Sequence, residues 1–72
     1  MNLKIKTFNE VYNIDIDNKK TILNLKYSIK ELLNIDITKQ RLSFQGNPLV
    51  DEKTLEYYNI QEYNTIFLVK TL

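Results

Sequence analysis

Few residues in this chain could carry chemistry, and their types limit what chemistry is open. The 72 residues include no histidine and no cysteine. The commonest general base and the commonest thiolate nucleophile are therefore missing, and Ser43 and the threonines have no partner able to activate a hydroxyl. Asp15 and Asp17 stand two apart, as outward residues of a strand do. Asp51-Glu52 reads as an acidic turn. Neither pair gathers the several oxygens that a hard cation needs. A phosphate loop needs several glycines, and the only glycine is Gly46. The expectation is a non-enzyme with no catalytic residue, no cofactor and no metal.

Charge narrows the partners further. Ten basic and nine acidic residues leave a formal net charge of +1. Nucleic-acid binders show a basic excess or stripe, and Lys19-Lys20 is too short to be one. No apolar run approaches the length of a membrane span, and Met1 to Lys6 alternate in polarity instead of forming a signal peptide. The composition fits one domain over residues 1–72, with 43% hydrophobic content to fill its core. Without cysteine the core rests on packing alone. Cytoplasm or nucleus is the expected location, and a monomer the expected state. What remains is apolar surface, so the elements that position it become the question.

Leu3 and Ile5 alternate with polar neighbours, as do Tyr12, Ile14 and Ile16, and a short loop around Phe8 joins the two runs. That pattern predicts an antiparallel hairpin. Ile22, Leu25, Ile29 and Leu32/Leu33 fall on one face of a helix, with Thr21 as N-cap and Asn34 as its stop. Gln40 to Phe44 predicts a third strand. Gln45 to Pro48 predicts a turn in which Gly46 takes positive φ, with Leu49 on at most a short edge strand. Thr54 to Ile60 predicts a short helical turn carrying Leu55 and Tyr58. Thr65 to Lys70 predicts the last strand, with Ile66 and Leu68 on one face and Phe67 and Val69 on the other. The expected core is Leu3, Ile5, Tyr12, Ile14, Ile16, Ile22, Leu25, Ile29, Leu42, Leu49, Leu55, Ile60, Ile66 and Leu68. One sheet with one apolar face and one amphipathic helix make an α+β domain.

These blocks resemble ubiquitin. The match runs through Met1…Lys6-Thr7, Thr21-Ile22, Gln40-Arg41-Leu42…Phe44…Gly46…Leu49, Thr54-Leu55…Tyr58-Asn59-Ile60-Gln61 and Thr65…Leu68-Val69. It spans essentially the whole chain, one residue shorter near the first hairpin. The resemblance implies a β-grasp fold, a mixed β-sheet wrapped around the helix. It also implies a non-catalytic protein-interaction domain. The ending Val69-Lys70-Thr71-Leu72 lacks the Gly-Gly terminus of conjugated modifiers. It resembles instead the N-terminal ubiquitin-like domains of ubiquilin-type proteasome shuttle proteins. Of the chain-linking lysine positions, Lys6 and Lys26 keep lysine, whereas Glu10, Ser28, Leu32, Asn47 and Glu62 occupy others. A domain within a larger ubiquitin-proteasome adaptor is the first expectation. A stand-alone modifier acting non-covalently is the second, and a Gly-Gly tail beyond Leu72 would restore conjugation.

The family's apolar patch maps onto Phe8, Ser43 and Val69, with Phe67 alongside. Strand parity agrees: if Leu42, Ile66 and Leu68 point inward, Ser43, Phe67 and Val69 point outward. Phe8 is expected to lean over them, and Lys6, Arg41 and Lys70 to form a basic rim. Two outward aromatics beside a valine read as a binding site; either alone would read as a shield for the sheet. The resemblance implies partners with ubiquitin-interacting helices or ubiquitin-associated domains, and proteasome receptors. Ser43 stands where an aliphatic residue is usual. A second family patch maps onto Phe8, Ile35 and Leu72, although Ile35 and Ile37 read first as loop anchors below the helix.

Overall fold

The computed structural model describes all residues, Met1 to Leu72. Five strands and one helix follow in the order β1 (Asn2–Lys6), β2 (Val11–Asp15), α1 (Ile22–Leu33), a 3-10 turn (Ile37–Lys39), β3 (Gln40–Phe44), β4 (Asn47–Pro48) and β5 (Thr65–Lys70). The strand order across the sheet is β2-β1-β5-β3-β4. β1 and β5 run parallel, and every other pair is antiparallel. This mixed sheet with one helix is the α+β, β-grasp arrangement.

Alternation builds the core. Leu3, Ile5, Ile14, Ile16, Leu42, Ile66 and Leu68 turn inward from the sheet and its flanks. Ile22, Leu25 and Ile29 meet them from the helix, and Leu49, Leu55 and Ile60 close the remaining side. Of the expected core, Tyr12 alone is only half-buried, because its strand lies at the edge of the sheet.

The helix is held at both ends. Thr21 accepts a bond from the Asn24 amide (3.1 Å), and the Asn24 side chain accepts one from the Thr21 amide (3.1 Å). This reciprocal box satisfies two donors that the first turn would leave open. At the other end Asn34 takes φ +58° and donates its N–H to the Lys30 carbonyl at 2.7 Å. Midway, the Lys26 ammonium meets Asp51 at 2.7 Å, with only 13% of the lysine side chain exposed. Asp36 caps the 3-10 turn by accepting from the Thr38 amide (3.1 Å), which holds its carboxyl below the usual range.

Two local expectations need correction. Gln45 (φ +52°) and Gly46 (φ +81°) form the turn by themselves, and Asn47–Pro48 already pair with β3 as β4. The ladder continues through the Leu49 N–H to the Leu42 carbonyl (3.0 Å), so Pro48 lies between bonded positions on the sheet edge, where no N–H is needed. The segment Thr54 to Ile60 forms no helix. Tyr58 bonds back to Leu55 (3.2 Å) and Asn59 to Glu56 (2.9 Å), and then Asn59 at φ +56° reverses the chain before a second helical turn can close. Leu55 is nevertheless wholly buried.

Two outcomes follow for stability. Thr21→Ala should lower the unfolding free energy in urea by about 1 kcal/mol, the usual worth of an N-cap. The Met1 ammonium contacts Asp15 at 3.0 Å, and that bond raises its pKa above the ordinary 8.0. A raised amine stabilises the fold while protonated, below pH 8, and that contribution is lost as pH climbs through the folded value. Denaturation at pH 7 and pH 9.5 should show this loss, and Asp15→Asn should flatten it.

Candidate functional site

β5 decides which side chains face outward. It lies between β1 and β3, and its inward residues Ile66 and Leu68 are buried. Phe67 and Val69 must therefore face away from the helix, and they stand 44% and 61% exposed. Register places neighbours beside them. Phe67 pairs with Lys6 on one side and Ser43 on the other, Lys6 with Val11, and Ser43 with Pro48. One row, Val11-Lys6-Phe67-Ser43-Pro48, thus crosses all five strands on the outward face. Val69 pairs with Arg41 in the next row.

The structure brings together Lys6, Arg41, Ser43, Phe67 and Val69 on this face. Ser43 is half-buried between Phe67 and Pro48. Val11 and Pro48 were missed by sequence reasoning. Both become visible once the register of the two hairpins is drawn, since each is the paired neighbour of a residue already in the patch.

Phe8 and Lys70 depart from the expected layout. Phe8 is fully exposed in the hairpin loop and does not lean on Phe67. The loop closes tightly through the Thr7 N–H to the Glu10 carbonyl (2.8 Å), with the Glu10 N–H returning to the Thr7 hydroxyl (3.1 Å), and this holds Phe8 at its tip. Lys70 follows Val69 by one residue and so alternates to the helix side, where it pairs with Gln40. It is a rim residue of a groove instead of the face. That groove, about 460 Å³, lies between the hairpin loop and the last residues of β5. Phe8, Ile35, Phe67 and Val69 supply its apolar walls, and Lys6 and Lys70 its charges, with no acidic residue in the lining. Ile35 is half-buried against the core and also lines the groove. The two expected patches therefore merge at Phe8, while Leu72 lies outside the groove, fully exposed.

Gln40 positions Ile35. Its side chain is 3% exposed, and its amide nitrogen donates to the carbonyls of Lys26 (2.9 Å) and Ile35 (3.0 Å). Alternation from Leu42 puts Gln40 on the inner face, but its polar type gives no sign that it is buried. No group of three or more His, Cys, Asp and Glu side chains is placed to hold a metal ion. No helix is long and apolar enough to cross a membrane.

The model of the ubiquitin family matches residues 3–72. The chain belongs to the ubiquitin family. It is 31% identical over 71 residues to the ubiquitin domain-containing protein DSK2 of Saccharomyces cerevisiae, covering 99% of this chain and 19% of DSK2. It is 33% identical over 73 residues to the NEDD8-like protein RUB3 of Arabidopsis thaliana, covering 100% of this chain and 94% of RUB3. It is 31% identical over 70 residues to ubiquilin of Dictyostelium discoideum, covering 97% of this chain and 13% of ubiquilin. This ubiquitin-like domain therefore spans under a fifth of two of these relatives and nearly all of the third.

The placement of the groove residues is checked by stability. Phe8→Ala should change the unfolding free energy by no more than about 0.5 kcal/mol, as for an exposed side chain without packing partners. Leu68→Ala, at a side chain that lines the same groove but is buried in the core, should cost about 2–5 kcal/mol. Urea denaturation of the two variants gives both values.

Proposed function

We propose that this ubiquitin-like domain is a non-catalytic docking module, and that it receives amphipathic helices of partner proteins on the outward face of its sheet. The support is the exposed pair Phe67 and Val69 on a rigid central strand, flanked by Lys6 and Arg41. A helix laid across this face would bury its apolar stripe on Phe67 and Val69, with Phe8 at one end. Carboxylates on the helix would meet Lys6 and Arg41, which speeds association more than it deepens affinity. Ser43 leaves a polar gap at the centre. An aliphatic side chain there would add apolar contact worth about 1–2 kcal/mol.

The parent we favour is a longer adaptor of the ubiquitin-proteasome system, because DSK2 and ubiquilin carry the matching segment within much longer chains. Partners would then be proteasome receptors and proteins with ubiquitin-interacting helices or ubiquitin-associated domains. RUB3 favours a second reading, a small modifier-like protein, since it is matched over 94% of its length. The mass of the native gene product separates the two.

Titration of the isotope-labelled chain with a ubiquitin-interacting helix should shift the amides of Phe67, Ser43 and Val69. Phe67→Ala and Val69→Ala should remove these shifts while leaving the rest of the spectrum folded. Unchanged titration in both variants would refute the surface. Ser43→Ile should tighten binding about tenfold, the change that roughly 1.4 kcal/mol produces.

A further inference from the structure

We propose that the open edge of β5 beside the groove takes an extended peptide segment of a partner by strand addition, with its apolar side chains in the groove and its acidic residues toward Lys6 and Lys70. This goes beyond the docking of helices, because it uses the backbone of Leu68 and Lys70 in place of the outward face.

The edge exists because the two central strands differ in length. Pairing of β1 with β5 stops at Lys6 and Phe67. Beyond it the hairpin loop turns away, while β5 continues through Leu68, Val69 and Lys70 paired only with β3. Backbone groups of alternate residues point to opposite sides of a strand, and two bonds fix their phase here. The Lys4 N–H donates to the Asn64 carbonyl (2.9 Å), which sets the even-numbered residues of this segment toward β1. The Thr71 N–H donates to the Lys39 carbonyl (2.9 Å), which sets the odd-numbered ones toward β3. The Leu68 carbonyl and the Lys70 N–H and carbonyl therefore face the vacant side, and no residue of the hairpin loop bonds to them. Three residues present about 10 Å of strand edge.

The surroundings select the occupant. The groove along this edge is walled by Phe8, Ile35, Phe67 and Val69 and carries Lys6 and Lys70 with no carboxylate. An added strand would cover part of Phe8, which is otherwise wholly in water. A helix bonds its own backbone internally and has nothing to offer the Leu68 carbonyl or the Lys70 N–H. An extended segment offers alternate donors and acceptors at the spacing of the edge. Apolar residues flanked by aspartate or glutamate match the walls and the charges together.

The test is titration of the isotope-labelled chain with the acetylated, amidated peptide Asp-Val-Ile-Val-Asp. Shifts should concentrate at Thr7 to Asn9 and Leu68 to Lys70, saturating at peptide concentrations on the order of 1 mM, as befits so small a contact. Exchange of the Lys70 amide hydrogen should slow in the complex. Lys70→Pro removes that donor without touching the β3 ladder, whereas Lys70→Met removes the charge and keeps the donor. The proline variant should bind about fivefold more weakly than the methionine variant, as for one lost hydrogen bond. Equal binding by the two variants would overturn the proposal. So would binding that shifts Ser43 and Phe67 while Lys70 exchange stays unchanged, since that is docking on the sheet face. Absence of shifts at about ten times the expected concentration, or shifts that follow protein concentration without peptide, would overturn it as well. Failure of helix docking leaves these readouts unaffected, so the two ideas fail separately.

Discussion

The burial of Ile66 and Leu68 sets the rest of the molecule. β5 is the strand through which the N-terminal hairpin and the β3-β4 pair become one sheet. Its two inward side chains lie in the core with the helix residues Leu25 and Ile29. Each fully buried aliphatic side chain of this size contributes about 1.5–3 kcal/mol relative to exposure. A shift of register by one residue would turn them out to water and force Phe67 and Val69 into a core shaped for isoleucine and leucine. The outward pair is thus held in place by what its neighbours bury. The outward face inherits its placement from the core, without any polar device of its own.

A second constraint acts at the helix, through one residue used twice. The Lys26 carbonyl accepts from the buried Gln40 side chain, and the Lys26 ammonium reaches Asp51 on the opposite connection. Gln40 also holds the Ile35 carbonyl, so the loop leaving the helix is fixed to the first residue of β3. That loop carries the floor of the groove. The side-chain oxygen of Gln40, Oε1, is buried without a protein partner. An apolar residue at position 40 would avoid that cost but would take the side-chain donor from the Ile35 carbonyl, whereas the Lys26 carbonyl would keep its place in the helix ladder.

Most of the fold was legible because periodicity reports burial. The alternation of β1 and β5, the three-and-four spacing of the helix and the caps Thr21 and Asn34 all state local chemistry that the tertiary structure keeps. The inward and outward sides of β5 could be read for the same reason. Thr54 to Ile60 was not legible, because a single turn has too few residues to show a period, and Asn59 ends it through a backbone angle. Gln40 was hidden because a buried amide looks like any polar strand residue until its two carbonyl partners are in place. Lys70 was expected on the basic rim of the outward patch, although alternation from Val69 already sends it to the other side. The groove depends on where β1 stops, and the turn at Thr7 and Glu10 decides that through bonds of only three residues' span.

The sheltered position of Lys26 has a chemical consequence. Its amine lies largely covered and 2.7 Å from a carboxylate, while the other lysines project from strands, loops and the far face of the helix. An acylating reagent, or an enzyme that must grip the amine, meets it only when the Asp51 connection swings aside or the domain opens. Its labelling rate therefore measures the frequency of that opening, in the way that slow proton exchange reports on protected amides. One side chain that serves the architecture also keeps a clock of its loosening.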